Sequence, residues 1–190
     1  MRTLRYVAAL ALLAAVSTPL SAQHAQTRQG FWIGFGVGAG SADISCDGCE
    51  VDRETSWSGH FRLGGTLRPN LLLGAESDGW TRDDQGVQTT IGFLSGVAYF
   101  YPTATNGLWL KGGLGIATFE ASDDIGEITT AGVGLSAGVG YDFRMTPNFS
   151  LTPYLSLLQQ VTGEAEVNDL DTGESAKVNV IQIGLGFTWH

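Results

Sequence analysis

Glycine and large apolar residues alternate along much of the chain, and this two-residue period constrains the fold more than any other feature. Over residues 132–144 the apolar positions are Val133, Leu135, Ala137, Val139, Tyr141 and Phe143. The positions between them hold glycine, serine and charged residues, and the same alternation recurs over residues 31–38 and 181–189. Because successive side chains of a strand point to opposite sides of a sheet, each segment is predicted to be a strand with one apolar face and one small or polar face.

From Gly30 onward, clusters of Gly, Pro, Asn and Asp divide the alternating segments, and none of these segments has the period of a helix. The predicted strands are residues 30–41, 55–68, 71–82, 87–101, 108–120, 128–145, 149–162 and 176–189. Connectors at 69–70, 102–107 and 146–148 are compact and lack acidic residues, whereas those at 42–54, 83–86, 121–127 and 163–175 are polar and acidic. This pattern predicts an up-and-down barrel with compact turns at one rim and acidic external loops at the other.

The composition of the polar face indicates which solvent each face meets. Alternation alone also fits a secreted soluble barrel whose aliphatic face lies inside. The chain, however, has 27 glycines and only 15% charged residues, against about 25% in soluble domains. An outer surface made largely of glycine protects its backbone poorly, whereas glycines in a narrow bore leave room for a few large polar side chains. The predicted fold is all-β: an eight-stranded antiparallel up-and-down transmembrane β-barrel.

The first 22 residues have the regions of a secretory signal peptide. Arg2 and Arg5 give a positive start, residues 6–16 are apolar, and the run from Leu20 to Ala22 ends in small residues suited to cleavage. The apolar run is too short for a spanning helix, which needs about 20 residues. We expect removal of residues 1–22 and one barrel domain over residues 23–190. The net charge of -9 argues against nucleic acid as a partner, because nucleic-acid binders concentrate Lys and Arg.

A set of large polar side chains falls on the strand face opposite the aliphatic residues. It comprises His60, Arg62, Glu76, Asp78, Lys111, Asp142, Arg144, Gln160 and Gln182. Buried charges are tolerated when they are paired and hydrogen-bonded, so we expect a lumen network in which Arg62 pairs with Glu76 or Asp78. Such a network plugs an eight-stranded bore, which side chains nearly fill. A narrow pore for small solutes or ions is the alternative.

Aromatic residues cluster where predicted strands meet the compact turns or the termini. They are Phe31, Trp32, Tyr99, Tyr101, Trp109, Tyr141, Phe143, Phe149, Phe187 and Trp189. A sparser set of Trp57, Trp80 and Phe119 lies toward the other rim. Since aromatic residues mark membrane interfaces, we expect the clustered set beside the compact turns and termini to form a girdle at one interface.

Together these features resemble the outer-membrane β-barrel proteins of the OmpA and OmpX type. The likeness covers essentially all of the chain after residue 22, and it is carried by the segments Phe31 to Gly40 and Arg68 to Gly74 and by the aromatic last strand. It implies a place in the lipid of a Gram-negative-type outer membrane. It also implies insertion by the barrel-assembly machinery, which in this family reads an aromatic residue at the end of the last strand. Here His190 follows Trp189, which departs from that pattern. We expect a monomer without cofactor.

Acidic residues concentrate at the predicted external rim. Of the 19 in the chain, 16 lie in or beside the four external loops, where only Arg53, Arg82 and Lys177 balance them. One hypothesis is that this rim gathers divalent cations, which bind carboxylate oxygens and bridge it to anionic lipid headgroups. The alternative is a solvated, mutually repelling surface that keeps the loops soluble.

The segment Cys46-Asp47-Gly48-Cys49 is the most specific local motif. Secretion favours an oxidised pair, and an Asp-Gly turn helps to bring the two sulfurs together. We predict a structural disulfide between Cys46 and Cys49, with a redox site or half of a metal site as the alternatives.

Ser58, His60 and Glu76 supply the residue types of a nucleophile, a base and an orienting acid on two strands that are hairpin partners. A lipid-modifying enzyme is therefore another alternative, although no deacylase motif matches. The leading hypothesis assigns no catalytic residue and no metal. It is a non-enzymatic scaffold whose acidic loops contact lipopolysaccharide, cations or an external partner.

Overall fold

The computed structural model describes residues 28–46, 49–84, 86–122, 127–162, 164–167 and 170–190. Side chains are described at 28–43, 53–84, 86–122, 129–162 and 177–190. Within this part of the chain, no helix has the length and apolar character needed to cross a membrane.

The described residues form ten β-segments. They are β1 (Phe31–Cys46), β2 (Cys49–Arg68), β3 (Leu71–Asp84), β4 (Val87–Phe100), β5 (Leu108–Ser122), β6 (Glu127–Tyr141), β7 (Phe143–Thr146), β8 (Phe149–Gln160), β9 (Glu164–Val167) and β10 (Leu170–Trp189). A break at Asp142 separates β6 from β7, and β8 ends at Gln160, before a break at residues 161–162 that precedes β9. Each of these two pairs is one interrupted barrel strand, so the ten segments make the eight strands that the alternation predicts.

Pairing of the first and last strands closes the sheet into a barrel. β1 pairs with β10 from Ile33 opposite Trp189 to Cys46 opposite Ala176, and every neighbouring pair around the sheet is antiparallel. Closure leaves no strand edge, which is what a β structure requires in lipid, where water cannot satisfy exposed backbone groups. The predicted fold class, an eight-stranded antiparallel up-and-down barrel, is confirmed.

Three strands continue well past their predicted external ends. β1 reaches Cys46, β2 begins at Cys49, and β10 begins at Leu170. The described residues within 42–54 and 163–175, which were predicted as loops, therefore lie in strands. Their polar composition misled the prediction, because a strand that projects into water carries polar side chains on its outer face just as a loop does.

The outer face of the barrel carries an apolar band of membrane thickness. On β5 the outward residues Leu108, Leu110, Leu114 and Ile116 are exposed, and the next outward residues are Thr118 and Glu120. This apolar stretch runs over about nine residues, the length with which a tilted strand crosses a bilayer. The band therefore ends toward the external rim, near residue 117 of this strand.

Beyond the band, the polarity of the two faces reverses. The outward residues Thr81, Thr90 and Thr118 are polar, whereas the inward side chains at this end form an apolar cluster. We call this cluster the apolar cap; it consists of Ala42, Trp80, Ile91, Phe93, Ala117, Phe119, Leu158, Val178 and Val180. The external part of the barrel is thus built like a water-soluble barrel, with a polar surface and a mainly apolar core in which Thr130 and Gln160 are also buried.

Four of the ten residues predicted to form the aromatic girdle lie inside the barrel instead. Phe31, Phe143, Trp189 and Trp57 are exposed on the outer face, as a girdle requires. The girdle residues Trp32, Tyr99, Tyr101 and Trp109 are buried in the lumen, as are Trp80 and Phe119 of the sparser set. The prediction used the distance of each aromatic residue from a strand end but not the strand face on which it lies. Because side chains alternate between the two faces, neighbours such as Phe31 and Trp32 point to opposite sides.

The inward aromatics toward the compact turns pack into a second cluster. This aromatic layer consists of Trp32, Leu72, Val97, Tyr99, Tyr101, Trp109 and Tyr154. Tyr99 makes edge-to-face contacts with Trp32 and Trp109 at ring distances of 5.4 and 5.0 Å. Glycine makes room for these rings, since a Cβ on Gly140 would lie 2.3 Å from Trp109.

Replacement of Leu114 by arginine tests the lipid-facing band. Leu114 is 60% exposed in the middle of the band, so Leu114→Arg should lower the free energy of unfolding by about 2–4 kcal/mol, the cost of a cation facing the bilayer midplane. Denaturant unfolding in phospholipid vesicles measures this difference. The matched change Thr118→Arg, at the edge of the band, should cost about 0–1 kcal/mol. Equal effects at both positions would contradict the assignment.

Candidate functional site in the barrel lumen

The structure places the predicted lumen residues on the inner face of the barrel. Relative exposure is at most 7% at each of His60, Arg62, Glu76, Asp78, Lys111, Asp142, Arg144, Gln160 and Gln182. Asp142 and Arg144 lie at the mouth beside the compact turns, and Gln160 lies at the external end of β8. The others form a mid-lumen group: His60, Arg62, Glu76, Asp78, Lys111 and Gln182.

Glu76 is the centre of the mid-lumen group. Its Oε1 accepts a hydrogen bond from the ammonium of Lys111, and its Oε2 accepts one from the hydroxyl of Tyr99. Lys111 also donates to Ser156 Oγ at 3.1 Å. The carboxylate and ammonium side chains are each only 1% exposed, so the ion pair is fully buried and further held by neutral hydroxyl groups.

Arg62 does not make the predicted ion pair. It lies opposite Glu76 in the strand register, but its guanidinium packs over Tyr99 and Trp109 at 4.9 and 5.4 Å from the ring centroids. Its Nη2 donates to Thr188 Oγ1 at 2.6 Å. Since Lys111 and Tyr99 already occupy both oxygens of Glu76, the long arginine side chain extends into the aromatic layer, where its flat cation stacks on ring faces.

Asp142 organises the mouth of the lumen at the break between β6 and β7. The hydroxyls of Tyr101 and Thr152 each donate to its carboxylate at 2.8 Å. Thr152 in turn lies 3.4 Å from Thr188, the residue that Arg62 contacts. A continuous run of polar contacts therefore links the mouth to the mid-lumen group.

Arg28 closes this mouth from the segment before β1. Its guanidinium lies 3.5 Å from the centre of the Tyr101 ring and donates to the carbonyls of Ala104 and Asn106 at 2.9 and 2.7 Å. It thereby ties the turn at residues 102–107 to the barrel. The alternation of strand faces could not assign Arg28 to the lumen, because this residue precedes the first predicted strand.

His190 also packs into the mouth. Its side chain is 2% exposed, with Nε2 3.9 Å from Asp142 Oδ2, and its backbone N–H donates to the carbonyl of Asn148 at 3.0 Å. Burial lowers the pKa of His190 to about 4. At neutral pH the imidazole is therefore uncharged, and its contact with Asp142 is not an ion pair.

The external rim carries ion pairs on its described part. Arg53 pairs with Asp43, and Arg82 pairs with Glu54 and, at 2.8 Å, with Asp84. These pairs are partly exposed to solvent, where each contributes at most about 1 kcal/mol. Two cations thus engage three of the rim carboxylates.

Comparison with known proteins places the chain in a family. Residues 8–188 match the model of the outer membrane protein beta-barrel domain. The chain belongs to this outer-membrane β-barrel family. Family membership places the barrel in the outer membrane, in contact with lipid.

Solved structures agree on the fold. Neisserial surface protein A matches with a TM-score of 0.58 at 16% identity, covering 84% of this chain and 96% of that chain. Ail, the attachment invasion locus protein of Yersinia pestis, matches at 0.53 and 15%, covering 84% and 99%. OprG from Pseudomonas aeruginosa matches at 0.53 and 14%, covering 88% and 100%. No curated protein matches. At these identities the structural likeness shows the fold alone.

The triad that the enzyme hypothesis requires is not assembled in this outer-membrane barrel. Ser58 and His60 are buried in the lumen, but the ring of His60 packs edge-to-face on Tyr154 at 4.5 Å. No hydrogen bond joins Ser58 Oγ or either nitrogen of His60 to another group. Glu76 bonds to Lys111 and Tyr99 instead. In addition, the described residues contain no group of three or more His, Cys, Asp or Glu side chains that could hold a metal ion.

Two sequence predictions for this outer-membrane barrel fall on parts that are only partly described. Cys46 lies directly opposite Cys49 in the register of β1 and β2, but both side chains lie outside the described residues. The disulfide remains a prediction. The signal peptide at residues 1–22 also lies outside the described residues and remains a prediction.

Removal of the Lys111 ammonium tests the buried ion pair. Lys111→Met leaves the Glu76 carboxylate buried without its cation, so the free energy of unfolding should fall by about 3–5 kcal/mol. Adding Glu76→Gln in the same chain should recover much of this loss, because no buried charge is then left alone. Denaturant unfolding of the three variants measures both effects. Arg53→Met at the exposed rim should lower the free energy of unfolding by at most about 1 kcal/mol. An equally small loss for Lys111→Met would contradict a fully buried ion pair.

Proposed function

We propose that this protein is a closed, non-enzymatic scaffold of the outer membrane that contacts lipid headgroups and divalent cations at its acidic external rim. The observation that carries the proposal is the filling of the lumen by two packed layers, the aromatic layer toward the compact turns and the apolar cap toward the external rim. An eight-stranded bore is only wide enough for side chains, so two such layers leave no continuous aqueous path.

The apolar cap argues most directly against the narrow-pore alternative. Its members Trp80, Ile91 and Phe93 are each at most 3% exposed, and Trp80 Nε1 donates to the carbonyl of Gly40 at 2.8 Å over the inner face of β2. Ion pathways are lined by polar groups or widen into water, and a dry constriction of large apolar side chains opposes the passage of ions. Closure therefore does not depend on the charged network below it.

The external rim supports contact with cations. Sixteen acidic residues belong to it against three basic ones, and in the described part Arg53 and Arg82 engage only three carboxylates. Asp83 and Glu120 take part in no ion pair among the described side chains. Divalent cations bind such carboxylate oxygens and bridge them to the phosphates of lipopolysaccharide.

A recess beside Trp57 supports contact with lipid headgroups. It has a volume of about 320 Å³ and is lined by Gly38, Ala39, Thr55, Ser56 and Trp57. Trp57 is 75% exposed on the outer face, where β2 passes from the apolar band to its polar extension. Tryptophan favours this level of a membrane because its ring is apolar and its N–H is polar.

The place of the barrel in the outer membrane also bears on its export, its insertion and its oligomeric state. We infer export by the predicted signal peptide, insertion by the barrel-assembly machinery through the last strand with its aromatic residues Phe187 and Trp189, and a monomeric barrel. The exposed apolar band meets lipid on all sides, so a single copy has a complete lipid-facing surface.

Planar-bilayer recording tests closure. Folded protein, identified by its heat-modifiable gel mobility, should add no conductance steps to the bilayer at neutral pH. A general porin prepared in the same detergent serves as the positive control. Reproducible steps from the folded wild-type protein would overturn the closed scaffold and favour the narrow pore.

Calorimetric titration with calcium tests the rim. Folded protein should bind calcium at millimolar or lower concentration, and Asp83→Asn combined with Glu120→Gln should weaken binding at least about threefold because two carboxylates are lost. Sodium at equal ionic strength should give no saturable heat. If titration of the wild-type protein with calcium gives no saturable binding heat, the proposed contact of the rim with cations is contradicted.

A further inference from the structure

The recess beside Trp57 lies on the outer face of the barrel, at the external edge of the apolar band. It is lined by Gly38, Ala39 and residues 55–57. Its volume of about 320 Å³ is roughly ten times the share of one water molecule in the liquid. The recess therefore has room for a group of the size of a ring rather than for a single ion. We name it the Trp57 recess.

Trp57 presents an aromatic face that the described part of the protein leaves largely uncovered. Its side chain is 75% exposed, the largest value among the exposed large apolar residues. At the opposite interface Phe35 packs on Phe187 and Trp189 at ring distances of 5.3 and 5.8 Å. Trp57 makes no such contact with a described ring. The negative face of an indole attracts the weakly positive C–H groups on the face of a pyranose, so this side of the recess suits a sugar ring.

Hydroxyl groups lie next to the recess on the side toward the external rim. Ser41 is opposite Thr55 in the register of β1 and β2, two residues beyond the facing pair Ala39 and Trp57. Both hydroxyl side chains are on the outward face of their strands. A hydroxyl both donates and accepts hydrogen bonds, as do the groups at the edge of a pyranose. The recess thus has a ring for the face of a sugar and hydroxyls for its edge.

Two cations flank β1 beyond these hydroxyls. Arg53 of β2 and Lys177 of β10 both point outward, and because both strands pair with β1 they lie two strand spacings, about 10 Å, apart across the sheet. Arg53 pairs with Asp43, but the pair is partly exposed and therefore weak, so the guanidinium can also bind a second anion. Among the described side chains of these three strands, Asp43 is the only outward carboxylate. This part of the rim therefore suits a phosphate group, which arginine and lysine both bind.

On the membrane side of Trp57 the outer face carries a notch without side chains. Gly59 lies two residues from Trp57 on the same face of β2, and the register places Gly79 and Gly92 in the same row on β3 and β4. A Cβ on Gly79 would have no atom within 4 Å, so this position opens onto lipid. Glycines in a strand allow a ligand to approach the backbone closely, and here the ligand at hand is an acyl chain. We name this row the glycine notch.

We propose that the Trp57 recess, the cations beyond it and the glycine notch form one binding site for a phosphorylated glycolipid of the outer leaflet. A pyranose ring of the headgroup packs on Trp57. Its phosphate lies between Arg53 and Lys177, and one acyl chain passes Gly79 into the bilayer. This inference rests on the headgroup contact proposed above and names the place and the ligand class of that contact.

The order of these groups along the outer face favours this lipid class over others. From water into the membrane the ladder presents cations, hydroxyls, an open aromatic ring and a notch. A glycerophospholipid has a phosphate and acyl chains but no ring to cover the indole. A soluble sugar has no chain for the notch. A role of Trp57 as an interface anchor alone accounts for the indole but not for the recess and the cations beside it.

Native mass spectrometry of the folded wild-type protein tests the site, with purified lipid A, a bisphosphorylated glucosamine disaccharide, as the probe. The detergent carries no sugar group, and EDTA is present so that no divalent cation bridges the rim to phosphate. One lipid A should be retained per barrel, and phosphatidylglycerol should be retained at least about fivefold less because it lacks the ring. An excess of free glucosamine phosphate should not displace the lipid.

Paired variants locate the retained lipid. Trp57→Leu, which removes the aromatic face, and Gly79→Leu, which fills the notch, should each lower retention at least about fivefold. Trp57→Phe keeps an aromatic face and should lower it less than Trp57→Leu does. Phe100→Leu removes an exposed outer aromatic at the other interface, and Gly65→Leu fills another outward glycine whose Cβ would meet no atom within 4 Å. Both controls should leave retention unchanged.

The possible results separate this site from the proposed function. Retention that survives both Trp57→Leu and Gly79→Leu overturns the site and leaves headgroup contact elsewhere on the rim standing. Retention that appears only after calcium is added also overturns the site, because the contact is then made through cations at the rim. No retention with or without calcium overturns the site and the proposed headgroup contact together.

The lipid comparisons decide the ligand class. Equal retention of phosphatidylglycerol overturns the assignment of a sugar ligand, and displacement of lipid A by free glucosamine phosphate overturns the assignment of a membrane lipid. Heat-modifiable gel mobility shows whether each variant is folded. If Trp57→Leu does not fold, the comparison of the wild-type protein with Gly79→Leu and Gly65→Leu decides.

Discussion

Closure of the backbone hydrogen-bond ladder between β1 and β10 is the constraint on which the rest of the structure depends. In lipid each strand must find its hydrogen-bond partners within the sheet, so eight strands that span the membrane have to form a ring. A ring of eight strands has a fixed, narrow bore. The narrow bore then explains why inward positions alternate between glycine and large side chains, as at Gly140 beside Trp109.

The solvent outside each section of the barrel decides what lies inside it. Within the membrane the outer face must be apolar, and the bore holds the buried pair of Glu76 with Lys111 among aromatic rings. Above the membrane the outer face is polar, and the core consists of the apolar cap. The same two-residue alternation runs through both sections, but the apolar residues face outward within the membrane and inward above it. Two different interiors thus stand in series along one bore.

Periodicity was sufficient to predict the strands and their inner and outer faces, because the two-residue period is a property of each strand alone. It placed Glu76, Lys111 and Asp142 on the inner face. It could not predict that Glu76 bonds to Lys111 rather than Arg62, since that choice depends on side-chain reach across the bore and on the aromatic rings that attract the guanidinium. The girdle prediction failed at Trp32 and Tyr99 because position along the strand was considered without parity. The polar extensions of β1 and β2 were predicted as loops because exposed strands and loops share a composition.

The length of β2 gives the molecule a defined height above the membrane. β2 runs from Cys49 to Arg68, and its apolar band ends near Trp57. At about 3.3 Å per residue and a strand tilt of roughly 40°, the segment from residue 49 to 56 rises about 20 Å beyond the bilayer. β1 and β10 accompany it as paired strands rather than as flexible loops. The ends of β1, β2 and β10 therefore stand above the lipid as hydrogen-bonded sheet, so the height of residues 46 and 49 over the membrane is set by strand pairing.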